Sequence, residues 1–359
     1  MRISKFHKVL LNSLRFFIAE LLYDNSPANQ SGEFNFKDIR NIVVNKADGK
    51  LGDTQVISFL IDSIKKHYPE INITVLCSGT AKEIYQDIYK VNTIQISKRP
   101  SFSEIRTISA QILKIGSCDL LLSTEEMCRP RDIYLAHCLK PNVFAGFDKR
   151  LKCINLNLFK RNHGKHITSY FADLLNLGSI KCDSIEYKKL YGDNDLEWVK
   201  SFYQGRKTIG IAPCGASKSR HLQIKVIKEL CRFIEKNTDY YIVPFLQHKD
   251  IETRAAVIPS IKADRAIFLP QMNVAQFAAA TGALDALISV DTANIHIAAA
   301  SKVPTFGIYN GFGQETPRWF PGPAAHPLSE HFQCQEVEIK DLSFKDLSYN
   351  LSSFLEKLK

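Results

Sequence analysis

No two of the nine cysteines stand at C-x-x-C spacing; they lie at 77, 118, 128, 138, 153, 182, 214, 231 and 334. That leaves nothing from which to build a zinc knuckle or a redox dithiol. Most have apolar neighbours, as Cys77 in ITVLC and Cys231 in KELCRF, and read as small core residues in a reducing compartment. Long apolar runs are also missing. The first apolar stretch contains Arg15 and Glu20, with no small-residue cleavage site after it. This argues against a signal peptide or a spanning helix and for a cytoplasmic protein. Neither the dinucleotide fingerprint G-x-G-x-x-G nor the P-loop pattern G-x-x-x-x-G-K-[ST] occurs. Basic clusters interleaved with aromatics are not evident, so nucleic acid is not an expected partner.

What is present is the composition of an ordinary globular chain, with 45% apolar and 23% charged residues. A length of 359 residues exceeds what one core usually serves, so two domains are expected. The formal charge of +10 asks for an anionic partner, such as a phosphorylated small molecule or an acidic membrane face.

Residues 1–23 carry apolar positions at 3, 6, 9, 10, 14, 17, 18, 21 and 22, with Arg2, Lys5, Lys8 and Arg15 largely off that stripe. This is a helix, either packed on the body of the protein or lying on an anionic bilayer. Residues 24–36 are polar and turn-rich and read as a linker. From residue 39 strands and helices alternate: strands at 39–46, 71–77, 93–97 and 118–123, and helices at 54–69, 81–89, 102–115 and 166–178. Residues 183–205 lead out of this half. A second run has strands at 207–213, 240–246, 265–270, 286–290 and 304–309, helices at 224–237 and 273–284, and a closing helix at 344–359. The order predicts an α/β protein of two doubly wound, Rossmann-like domains facing a central cleft, with ligands at the carboxyl ends of the strands. The expected divisions are 1–38, 39–205, 206–330 and 331–359.

Three stretches carry chemistry. In LISVDTANIHIAAA (287–300) a buried strand ends on Asp291 and Thr292 and a helix follows. A side-chain oxygen there caps the helix, and the free N–H groups of its first turn attract phosphate. Ala293 and Asn294 are small enough to let an anion approach. His296, four positions after Thr292, projects from the same face near the cleft mouth; the plainer alternative is a capping Asp291 and a core histidine. In NKADGKLGDTQVI (45–57) a glycine-bearing loop leads through Gly52 and Asp53 into a helix starting at Thr54. Asp53 is either a cap or a general base. In APCGASKSRHL (212–222) Lys218, Arg220 and His221 beside Ser217 and Ser219 suit a diphosphate, or form a solvated basic loop.

Together these stretches resemble glycosyltransferase family 9, the lipopolysaccharide heptosyltransferases, over most of residues 39–330. The resemblance rests on Gly52-Asp53, on Pro213 to Arg220, and above all on S-V-D-T-x-x-x-H-x-A-A-A (Ser289 to Ala300) followed by FGIYNG at 306–311. It implies the GT-B fold and inverting transfer from a nucleotide sugar, usually ADP-heptose, to a Kdo or heptose of the lipopolysaccharide inner core. Asp53 would be the base, with Gly52 and Thr54 in the loop near the acceptor. Arg220, or Lys218 in its stead, would hold the donor with Asp291, Thr292, Ala293 and His296. Helix-end amides and basic side chains would then neutralise the leaving ADP without a metal or other cofactor. A glycolipid acceptor would place the enzyme peripherally on the cytoplasmic face of the inner membrane. The chain departs from the family pattern at Ala293, where glycine is usual, and at His221-Leu222, where Trp-Pro is usual. It also carries an insert in KADGKLGD. These changes keep open a different donor sugar, or a nucleotide- or glycan-binding protein without turnover.

Overall fold

The computed structural model describes residues 5–27, 29–47, 49–79, 81–124, 127–148, 150–246, 250–311, 319–334 and 338–359, with side chains from residue 12 onward. Its first half runs α1 Lys5–Tyr23, β1 Asn41–Lys46, α2 Leu51–Val56, α3 Ser58–His67, β2 Asn72–Cys77, α4 Ala81–Glu83, β3 Asn92–Gln95, α5 Phe102–Ile115 and β4 Leu120–Ser123. There follow α6 Pro130–Leu139, β5 Val143–Gly146, β6 Leu156–Asn157, α7 Leu158–Asn162 and α8 Ile167–Leu177. The second half runs α9 Asp193–Tyr203, β7 Thr208–Ala212, α10 Ile224–Asn237, β8 Tyr241–Pro244, α11 Ile251–Val257, α12 Val274–Gly282 and β9 Ala286–Val290. It ends with α13 Ala293–Ala300, β10 Thr305–Tyr309, β11 Glu330–Gln333 and α14 Phe344–Lys357. The strands form two parallel sheets, ordered β3-β2-β1-β4-β5-β6 and β11-β10-β9-β7-β8.

Packing divides the chain into two units, Met1–Lys50 with Leu60–Ser184, and Leu51–Phe59 with Ile185–Lys359. The expected 54–69 helix is therefore two helices. The break at Ile57 lies just before the chain passes from the second unit back to the first, and α2 packs with the second. Helix α9 also belongs there, because its Val199 and Tyr203 are buried with Ala279, Ala280 and Leu284.

In the first unit, β1 and β4 are buried almost throughout, as expected of parallel strands covered on both faces. One layer joins Val43, Leu121 and Phe144 to Ile105, Ile108 and Ile112 of α5 and to Ile133, Leu135 and Leu139 of α6. Helix α5 begins where Ser101 accepts the Glu104 N–H at 3.1 Å. Residues expected to form a linker are instead laid along this unit. The Asp24 carboxylate accepts the N–H groups of Lys152 and Cys153 at 2.9 and 2.7 Å, and Phe36 is fully buried.

In the second unit, Ile209, Ile211, Ile288, Phe306 and Ile308 pack on Val226, Ile227 and Leu230 of α10 and on Leu351 and Phe354 of α14. The opposite face, through Ala212, Val243 and Leu287, packs on α9, α12 and α13. The expected strand at 265–270 is reduced to one bridge, Ile242 to Ala266; Pro270, with no N–H to donate, cannot extend it. All nine cysteines are free, and most are buried. Burial pushes Cys77 up to about 11 and Cys231 up to about 12, so these thiols stay protonated and unreactive.

Candidate active site

The site lies in the second unit, where the chain crosses from one side of β7 to the other. Strands β7 and β9 are neighbours, with Ala212 opposite Ser289, and both run out toward the same edge. This reversal in strand order is where doubly wound sheets hold ligands.

After β7 the loop closes on itself. The Gly215 N–H donates to Arg220 O at 2.9 Å, Leu222 N–H donates to Pro213 O at 3.0 Å, and His221 Nε2 lies 2.8 Å from Gly215 O. A Cβ on Gly215 would sit 2.6 Å from Arg220 Cβ and 3.4 Å from Asp291 O, so only glycine fits this approach. The turn Lys218–Arg220 then presents its two cations differently. Lys218 is exposed. Arg220 reaches across to the end of β9, where its Nη1 donates to Asp291 Oδ2 at 2.6 Å, both side chains being about one-third exposed.

Asp291 is thus an ion-pair partner and not the helix cap. The cap of α13 is Thr292, in extended backbone, whose Oγ1 accepts the Asn294 N–H at 3.3 Å. Ser289 Oγ lies 3.0 Å from Thr292 Oγ1, and the buried Asn294 amide donates to Thr281 Oγ1 of α12 at 3.1 Å. Ala293 is the first helical residue and has no positive φ, so alanine fits where the family pattern has glycine.

Helix α2 packs on α13. A Cβ on Gly52 would lie 3.0 Å from His296 Cδ2 and 3.6 Å from Ala293 Cα, so the absent side chain is what lets the two helices approach. His296 is accordingly buried at 6% exposure and does not stand at an open mouth. Asp53 is also not a cap. The helix begins at Leu51, which puts Asp53 in its first turn, half-buried, with its carbonyl accepting the Ile57 N–H at 3.2 Å. A carboxylate in a first helical turn is favoured by the helix dipole. Thr54 is fully buried and presents no surface to an acceptor. The segment is tied down by Gln55, whose Nε2 donates to Lys188 O, and by Ser58, whose Oγ accepts the Lys188 N–H at 2.9 Å.

Two further residues escaped the sequence reading. Tyr187 and Tyr309 are buried phenols whose hydroxyls have no hydrogen-bond partner among the described residues. The Tyr187 ring lies 6.4 Å from that of His296, and burial raises its hydroxyl above the usual phenol range. Burial, then the negative charge of Asp291, raises Tyr309 well above that range. Tyr309 ends β10 beside the Asp291 turn, and its place at a strand terminus was the available signal. Asp193 and Asp195 stand at Asp-x-Asp spacing, but they open α9, where Asp195 Oδ2 accepts the Gly192 N–H at 3.1 Å. Among the described residues no three His, Cys, Asp or Glu are grouped as a metal site.

Two α/β units, each built on a sheet of parallel strands, have the architecture of a GT-B glycosyltransferase. The model of glycosyltransferase family 9 (heptosyltransferase) matches residues 135–343, more than half of the chain, and the chain belongs to that family. A curated Escherichia coli K12 protein, "Putative lipopolysaccharide heptosyltransferase 4", is 22% identical over 369 residues, covering 97% of each chain. A crystal structure of a family 9 glycosyl transferase from Veillonella parvula matches with a TM-score of 0.68 at 15% identity, over 91% of this chain and 100% of that one. The E. coli ADP-heptose lps heptosyltransferase II matches with a TM-score of 0.66 at 15% identity, over 89% and 99%.

Proposed function

We propose that this glycosyltransferase moves a heptose from ADP-heptose, with inversion, to a Kdo or heptose of the lipopolysaccharide inner core. The observation that carries the reading is the Arg220–Asp291 pair at 2.6 Å. It joins the basic loop after β7 to the turn that opens α13, the helix on which Asp53's own helix packs. A cation, a capped helix N-terminus and a carboxylate are then held in one compact unit.

In this reading Asp53 takes the proton from the acceptor hydroxyl as its oxygen attacks the anomeric carbon. The bond from that carbon to the diphosphate oxygen breaks, and ADP leaves. Arg220 or Lys218 and the first amides of α13 balance the charge on the diphosphate. Asp291 holds Arg220 in place, and Thr292 and Ala293 line the donor's approach. His296 supports α2 from beneath. No metal is assigned a step. The similar fold of the E. coli ADP-heptose lps heptosyltransferase II supports the donor. A glycolipid acceptor would set the enzyme to work peripherally on the cytoplasmic face of the inner membrane; among the described residues no helix is long and apolar enough to cross a membrane.

A second reading keeps the chemistry and changes the sugar. It is favoured by His221 and Leu222, which replace the Trp-Pro of the family pattern, the first bonded to Gly215 O and the second buried. Thermal stabilisation against ADP, ADP-heptose, UDP, UDP-sugars and GDP separates the two, because a ligand that binds the folded state raises the midpoint. A shift with ADP and ADP-heptose alone is expected. A shift with uridine or guanosine ligands instead would discard heptose, and no shift with any of them would discard turnover.

A further inference from the structure

Helix α1 is fixed to the first unit by one face and bare on the other. Phe16, Ala19 and Tyr23 pack into the layer that includes α6. The Arg150 guanidinium lies 4.6 Å from the centre of the Phe16 ring, and Asp24, one residue beyond the helix, is pinned by two backbone N–H groups. Helical periodicity puts Leu14, Phe17, Ile18, Leu21 and Leu22 on the opposite side. All five are exposed, Phe17 at 60% and Leu21 at 74%. Single exposed apolar residues are ordinary, but five large ones on one helix face mark an interaction surface.

We infer that this face of α1 docks on an anionic lipid bilayer, lying in the headgroup region with its apolar stripe toward the acyl chains. Only the purpose, bringing the enzyme to a lipid-borne acceptor, rests on the function proposed above. Charge selects the occupant. Residues 1–23 hold Arg2, Lys5, Lys8 and Arg15 against one acid, Glu20, in a chain of formal charge +10. A net-basic segment that carries an apolar stripe suits anionic headgroups. A second copy of the chain would instead set like charges against each other. The aromatic cluster at the helix end fits the same surface. Tyr23 meets Tyr134 at 4.9 Å and Phe102 at 6.3 Å, and Phe102 is 48% exposed, as rings at a membrane interface are. Because α1 is already folded and anchored, binding does not have to pay for ordering it.

The test is co-sedimentation of the full chain with vesicles of phosphatidylcholine alone and of phosphatidylcholine mixed with phosphatidylglycerol. Wild type should bind the mixed vesicles, and less in high salt. The double variant Phe17→Glu/Leu21→Glu should lose about tenfold or more of that binding with an unchanged thermal midpoint. Equal binding by the variant would overturn the inference. So would indifference of wild type to the anionic vesicles, or a change from dimer to monomer in the variant without loss of vesicle binding. Transfer is then compared on a membrane-embedded acceptor and on its deacylated, soluble core. The variant should fail only on the first. No transfer by wild type to either would sink the proposed function while leaving the vesicle result standing.

Discussion

The two units place different chemistry at the same topological position. In the first, strand order reverses between β1 and β4, and the residues there are closed in. The Asn45 amide donates to Asp132 Oδ1 at 3.0 Å with both side chains buried, and Asp132 Oδ2 accepts the Arg129 N–H at 2.7 Å. In the second, the reversal between β7 and β9 carries Arg220 and Asp291, each about one-third exposed. A buried amide–carboxylate pair, fully satisfied, holds a strand to a helix. A partly exposed ion pair leaves its cation open to a ligand at little desolvation cost. The topology offers a ligand position twice, and the side chains decide that the second unit keeps the charge accessible.

The largest effect expected from this contrast is at Asp53. Asp53→Ala should lower the transfer rate by about 10²–10⁴-fold, the usual contribution of a general base, with ADP affinity and thermal midpoint nearly unchanged. Loss of soluble protein would make Asp53 a structural residue of α2 and remove the catalytic half of the contrast.

Next come Arg220 and the glycine that seats it. Arg220→Ala should weaken ADP binding by about 10–100-fold, as for loss of a charged hydrogen bond. Gly215→Ala should do nearly the same without removing the cation, because the new Cβ would meet Arg220 Cβ at 2.6 Å and displace the turn. Calorimetric titration with ADP checks both. Full affinity in Arg220→Ala would transfer the phosphate role to Lys218; full affinity in both variants would leave the loop without one.

The converse prediction concerns the first unit. Asp132→Ala should cost about 1–3 kcal/mol, because the Asn45 amide is left buried without its acceptor, while ADP binding is untouched. Denaturant unfolding and titration on the same sample read both quantities. Weaker ADP binding at unchanged stability would mean that this strand end, too, faces a ligand.

Much of the framework was legible because it is local. Helices 102–115 and 224–237 and strand 286–290 fall at the positions read from periodicity. Helix α6 was missed because its start, Arg129-Pro130-Arg131-Asp132, is polar and opens on proline, a pattern that also reads as a turn. The site was legible in its residue types and not in its partners. Arg220 and Asp291 are 71 residues apart, and Gly52 meets His296 from the other end of the chain. Local patterning can nominate Asp291 and Asp53 as caps; the closure of the β7 loop makes Asp291 an ion-pair partner, and the start of α2 at Leu51 puts Asp53 inside the first turn.

The smallest effect expected contrasts two acids that occupy the same position in their helices. Asp132 of α6 is buried, whereas Asp346, three residues beyond Ser343 at the start of α14, is exposed. Ser343 Oγ and N–H donate to Asp346 Oδ2 at 2.7 and 2.8 Å. The hydroxyl first, then the backbone N–H, hold that carboxyl below the ordinary aspartate range. A depressed pKa means the folded state favours the ionised form. Its stabilisation is therefore present above the unfolded value, near 3.8, and fades as pH falls through the folded one. Solvent screens the exposed pair, so Asp346→Asn should cost only about 0.5–1 kcal/mol. That difference from wild type should shrink when unfolding is measured at progressively lower pH. A deficit that stays constant from neutral to acid pH would mean the loss is one of packing, and the two acids would differ in burial but not in the part their charge plays.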